Sequence, residues 1–123
     1  MKEEETMNEY IKEFPKEPSF RRNGFDGYNV DLNNENISIT YENVYKGHDK
    51  YCTNTKITHI YYVISGEGKF KIKDEIYEVK KGNIIEIPPS TKFVFAGEME
   101  LLLIMNPQFT REGEIVGEEN DLM

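Results

Sequence analysis

The sequence predicts an all-β fold, a barrel or sandwich of short antiparallel strands. Three observations predict it. Between Ile37 and Met105, apolar and polar residues alternate in short runs, as they do along strands with one buried face. Turn formers interrupt those runs at close intervals, so the chain must reverse often. After Gly24, no stretch places its apolar residues at helical spacing.

The elements follow in order. Residues 1–23 are polar and charged, with Pro15 and Pro18 interrupting regular structure. Tyr10, Ile11 and Phe14 stand at helical spacing, which predicts one helical turn in an N-terminal arm. Tyr10, Phe14, Phe20 and Phe25 are many aromatics for a solvated tail, so packing against a barrel or a partner subunit is expected. Ile37-Ser38-Ile39-Thr40-Tyr41 alternates, and its apolar odd positions are expected to face inward, with Asn43 continuing that face. Residues 57–64, rich in β-branched and aromatic side chains, give the strongest strand signal. Ser65-Gly66-Glu67-Gly68 reads as a turn. Lys69-Phe70-Lys71-Ile72-Lys73 sets Phe70 and Ile72 on one face and three lysines on a solvated one. Asp74-Glu75 turns the chain, residues 76–79 return, and Lys81-Gly82-Asn83 turns it again. Residues 84–87 form a strand stopped by Pro88-Pro89, since proline donates no hydrogen bond to a ladder. Phe93-Val94-Phe95 and residues 100–105 complete the set. Beyond Pro107, the acidic residues Glu112, Glu114, Glu118, Glu119 and Asp121 predict a mobile tail. The expected organisation is an arm over 1–23, a barrel over 24–109 and a tail over 110–123.

Composition narrows the partners. A chain of 123 residues fits one domain. Its net charge of −8 repels phosphate backbones and anionic lipid, so neither nucleic acid nor a membrane surface is an expected partner. Cys52 is the single cysteine, which leaves no intramolecular disulfide to form. The opening MKEEETMNEY lacks the basic-then-apolar order of a signal peptide. The longest apolar run, residues 101–105, is far too short to cross a bilayer. A soluble cytoplasmic protein is expected.

The middle of the chain resembles a known family. The stretch THIYYVISGEGKFKIKDEIYEVKKGNIIEIPPSTKFVF looks like the core of the cupin superfamily. Gly47 and Gly66 stand at the two glycine positions of that family's first motif with the right spacing between them, and Gly82 and Pro88 match its second. The resemblance implies a jelly-roll β-barrel with a site inside it. It also implies a homodimer paired through a sheet face, into which the aromatic arm would fit.

The family's metal ligands are not matched. Counted from Gly47, the two histidine positions fall on Thr53 and Thr55, and the glutamate position falls on His59. With the alternative spacing the histidine positions become Cys52 and Asn54. The last histidine position is Phe93, and two further motif positions depart to Ser90 and Gly97. Threonine hydroxyls are poor ligands for iron, manganese, nickel or zinc, and phenylalanine is none. No metal and no other cofactor is therefore expected.

What remains is a polar and aromatic interior, suited to a small organic ligand. Tyr41, Asn43, Cys52, Thr53, Thr55, His59, Tyr61 and Phe93 are the candidate ligand-binding residues. A first reading is a module that binds a sugar or a small organic acid without chemistry. A second is a metal-independent epimerase or isomerase, with His59 as general base and Tyr61 or Tyr41 as acid. A third is an atypical metal site of His59, Cys52 and His48. His48-Asp49 follows Gly47 and reads most simply as a solvated loop pair.

Overall fold

Two long strands organise the chain. The structure is a computed structural model and describes residues 10–123. Nine strands are assigned among these: β1 Phe20–Arg22, β2 Phe25–Val30, β3 Ser38–Val44, β4 Lys50–Asn54, β5 Thr58–Ile72, β6 Glu75–Lys80, β7 Ile84–Ile87, β8 Phe93–Asn106 and β9 Glu114–Glu119. β5 and β8 pair antiparallel from Thr58 opposite Asn106 to Ile72 opposite Phe93, with one irregularity between Val63 and Ser65. On its other side β8 pairs with β3 over residues 99–105, and it meets β4 where Cys52 lies opposite Phe93. β5 carries β6 along one half and β7 along the other. The remaining strands extend the sheet in the order β9-β4-β8-β3-β2-β1, and every pairing is antiparallel. The expected all-β barrel is the observed architecture.

The inner face carries the core. Phe25, Tyr61, Phe70, Phe93 and Phe95 are all buried to 2% exposure or less. Tyr61, Phe70 and Phe95 form a triangle of rings with centroids 5.1–5.5 Å apart, the spacing of favourable aromatic contacts. Ile57, Val63, Ile87 and Leu101 fill the space around them.

The stretch Ser65-Gly66-Glu67-Gly68 is no turn. It lies inside the single strand β5, and residues 93–95 and 100–105 likewise belong to the single strand β8. The glycines mark a close crossing instead. Gly66 has φ +83°, and a Cβ there would stand 2.2 Å from the carbonyl oxygen of Glu98. Only glycine lets β5 bend over β8 at this point.

Residues from both the arm and the tail join the sheet. β1 continues into the arm, and Phe20 packs edge-on against Phe25 at 5.8 Å. The expected helical turn is absent: among the described residues no helix forms, and Phe14 packs instead on the outer face against Tyr41. Residues 1–9 of the arm lie outside the described residues. The acidic tail corrects a second expectation, because it forms β9, paired with β4. Few apolar side chains hold it there. Tyr51 donates to Asp121 at 2.5 Å, and Asn54 Nδ2 donates to Glu114 at 2.8 Å. Asn120 Nδ2 donates to the carbonyls of His48 (2.7 Å) and Phe95 (2.9 Å). Polar pairing of this kind leaves no hydrophobic signal in the sequence.

The Asn120 clamp predicts a measurable cost. Asn120→Ala would take its donor from the His48 carbonyl, while the Phe95 carbonyl keeps the N–H of His48, and should destabilise the chain by about 1–3 kcal/mol. Urea denaturation followed by circular dichroism measures it. A midpoint equal to that of the unchanged chain would show that the tail does not brace the barrel.

Candidate functional site

A cavity of about 630 Å³ opens inside the barrel, within the ~300–1,000 Å³ usual for small-molecule sites. Its walls come from β1 to β5, from the far end of β8 and from the start of β9. Phe20, Phe25, Tyr61, Leu103 and Met105 give the apolar surface. Arg22, Glu42, His48, Cys52, His59 and Glu114 give the polar one.

Glu42 is the most constrained of these. Strand β3 turns its even positions inward, so Thr40, Glu42 and Val44 are buried while Asn43 is exposed. The Glu42 residue is 3% exposed, and its Oε1 has no hydrogen-bond partner among the described residues. Burial pushes the carboxyl up to about 8, against the opposing charge of Arg22. At neutral pH it is therefore mostly a protonated carboxylic acid in the barrel wall.

His48 lies close by, held from several sides. Its Nδ1 accepts the backbone N–H of Lys50 at 3.2 Å, and its Nε2 is 3.4 Å from Cys52 Sγ. Phe25 lies at 5.0 Å and Phe95 edge-on at 5.7 Å, so the ring is walled by aromatics. Burial holds its pKa down at about 4, with the Arg22 charge acting in the same direction. Asp49 is paired with Arg22, whose Nη2 lies 3.2 Å from Oδ2 and 3.0 Å from Oδ1. The Oδ1 contact is off the N–H axis, an ion pair without a hydrogen bond. Burial, reinforced by the Glu42 charge, pushes the Cys52 thiol far above its ordinary range, so no thiolate nucleophile is present.

His59 and Tyr61 stack along β5 with centroids 6.3 Å apart, and both line the cavity. Burial holds His59 at about 4 and raises the Tyr61 phenol well above its ordinary value.

Residues 38–95 match the family model of the AraC-like ligand binding domain. A comparison with curated proteins found no match. Among solved structures, the chain is similar to Pac13 from Streptomyces, a nucleoside dehydratase. That pair is 23% identical with a TM-score of 0.79, covering 95% of this chain and 93% of Pac13. It is similar also to KdgF from Halomonas sp. (13% identity, TM-score 0.69, 78% and 93% covered). An RmlC-like cupin from Shewanella frigidimarina has the same architecture (16% identity, TM-score 0.63, 86% and 92% covered). The chain has a cupin-type fold.

Within this fold the chain departs from the metal centre of the cupin motifs. Thr53 lies outside the cavity wall, and Thr55 is exposed with its hydroxyl on the carbonyl of Gly113. Asn54 is spent locally: its Oδ1 accepts the N–H groups of Lys56 and Ile57. Phe93 is core, edge-on to His59 at 5.2 Å. The residues at the metal positions do not fit the family's ion, and among the described residues no three His, Cys, Asp or Glu side chains converge on one point.

The predicted site residues thus divide. Cys52, His59 and Tyr61 line the cavity together. Tyr41 and Asn43 point away from it. Tyr41 lies on the outer face between Phe14 and Tyr28, where its hydroxyl bonds Glu100, which Ser65 also bonds at 2.7 Å. The inward alternation read for β3 was off by one, because the wall there is polar and the apolar residues cover the outside. His48 is part of the wall, and not a solvated loop pair. Glu42, Arg22 and Glu114 were missed. An acid in a strand whose neighbour Val44 is apolar was the one available signal for Glu42.

These groups set a pH profile of stability. Glu42 is raised on folding from 4.5 to about 8, so the stability it contributes is full below about 4.5 and falls as pH rises towards 8. His48 and His59 are lowered from 6.5 to about 4, so their contribution falls as pH drops below about 6.5. Between about pH 6.5 and 8 only the Glu42 slope remains, at roughly 1.4 kcal/mol per pH unit. Glu42→Gln should remove that decline, as read from urea titrations at each pH. Parallel slopes for the two proteins would place the ionised carboxylate in the folded state.

Proposed function

We propose that the cavity binds a small sugar-bearing molecule, with a nucleoside as the class to test first, and that Glu42 exchanges a proton with it. The observation that carries this is the buried Glu42 carboxyl, whose Oε1 has no partner among the described residues and stands in a cavity wall with His48 and Tyr61. A carboxyl kept protonated at neutral pH hands its proton to a carbonyl oxygen of the ligand and, as the carboxylate, takes one from the carbon beside it; the reverse steps return the carbonyl with a solvent-derived hydrogen on that carbon. Phe20, Phe25 and Tyr61 supply faces for a planar or apolar part of the ligand.

The likeness to Pac13 supports the ligand class. Streptomyces Pac13 variants in complex with uridine replace a histidine and a tyrosine. In this chain His48 and Tyr61 stand at the same sequence separation. A second tyrosine of Pac13, replaced in a further variant with uridine, falls by its separation on Phe95 here. Phe95 has no hydroxyl, so a dehydration like Pac13's would lack that group in this chain. The match to the AraC-like ligand binding domain favours a second reading, binding without chemistry.

Uridine titrated into the isotope-labelled chain should shift the backbone amides of Glu42, His48 and Tyr61. No shift at millimolar uridine would overturn the nucleoside class. Proton exchange is read separately, by incubating nucleosides and pentoses with the chain in heavy water and following deuterium uptake by mass spectrometry. Uptake should fall by about 10²–10⁴-fold in Glu42→Gln. Binding without any uptake would decide for the binding module.

A further inference from the structure

We propose that His48 serves the cavity as a neutral hydrogen-bond donor, holding an oxygen of the ligand through Nε2–H, and that the backbone N–H of Lys50 fixes this tautomer. The inference rests on the ligand reading above and assigns one residue's part in it.

A neutral imidazole carries one proton, and whichever nitrogen accepts a hydrogen bond must be the bare one. Lys50 N–H points at Nδ1 from 3.2 Å, so Nδ1 is bare and Nε2 carries the proton. The donor cannot turn away, since it belongs to the backbone of β4 where that strand pairs with β9. The ring cannot easily turn either, walled by Phe25 and Phe95. Nε2 is 3.4 Å from Cys52 Sγ, a weak acceptor that a ligand hydroxyl or carbonyl oxygen would outcompete.

The charges around the ring test this assignment. Arg22 comes from β1, Asp49 from the segment before β4 and His59 from β5, and Cys52 of β4 touches the ring. Asp49 alone would draw a proton to Nδ1, because its Oδ1 lies 3.5 Å away. That contact is longer than the Lys50 bond, and the Asp49 charge is already paired with Arg22. The Lys50 N–H therefore wins. Burial disfavours the imidazolium as well, and holds the ring neutral down to about pH 4. The outcome is a division of labour in which the carboxyl of Glu42 moves the proton and His48 orients the oxygen.

The chain has two histidines, so ¹⁵N-histidine labelling gives a readable spectrum. His59→Gln assigns it, or His48→Gln if that variant does not fold. His48 should show a protonated Nε2 and a bare Nδ1 from about pH 5 to about pH 9. The same pattern should persist in Asp49→Asn. A proton on Nδ1, or a titration midpoint near about 6.5, would overturn the proposal. So would a change of tautomer in Asp49→Asn, which would make Asp49 and not Lys50 the controlling group. The readout needs no ligand. A chain with the expected tautomer that binds no uridine would overturn the ligand class and leave the donor role of His48 standing.

Discussion

The antiparallel pairing of β5 with β8 is the constraint on which the rest of the molecule depends. These strands share their register over almost their full length, from Thr58 opposite Asn106 to Ile72 opposite Phe93. That register sets Tyr61 beside Leu103 and Phe70 beside Phe95, so one half of the barrel fills with aromatic rings. The other half is walled by strands that β8 brings in from its far side. β3 faces it with Thr40 and Glu42, and β4 adds Cys52. A slip of β5 by one residue against β8 would turn His59 and Tyr61 outward and take them from the cavity wall.

Packing and function pull against each other in that wall. An unpartnered buried oxygen costs about 1–3 kcal/mol, and an apolar residue at position 42 would avoid it. The aromatic half supplies the stability that lets the polar half remain unsatisfied. Tyr61 belongs to both, with its ring among Phe70, Phe93 and Phe95 and a place in the cavity wall.

The barrel was legible in the sequence because its strands alternate and its glycines sit where backbones touch. Gly47 packs so close to β8 that a Cβ would stand 2.6 Å from the carbonyl of Phe95, so the backbone itself requires glycine there whatever the cavity holds. Two kinds of feature were illegible. Alternation tells which residues share a face, but not which face is inside when the cavity wall is polar and the outside is covered by Phe14 and Tyr28. That ambiguity placed Tyr41 and Asn43 inside and hid Glu42. Segments held by hydrogen bonds to distant groups were hidden too. Asn120 reaches back to His48 and Phe95, contacts that no local pattern announces.

The acidic C-terminal strand also bears on how the molecule meets its own copies. Among the described residues β9 is an end strand, with Val116 exposed to 82% and Ile115 to 51%. A bare apolar edge of this sort is a template for another chain's backbone, the route by which β-proteins aggregate. Here Glu114, Glu118 and Glu119 surround the two apolar residues with like charge. A second molecule approaching edge to edge would bring carboxylates against carboxylates. Part of the chain's surplus of negative charge thus stands along this apolar edge, where it works as a guard rail against edge-to-edge pairing.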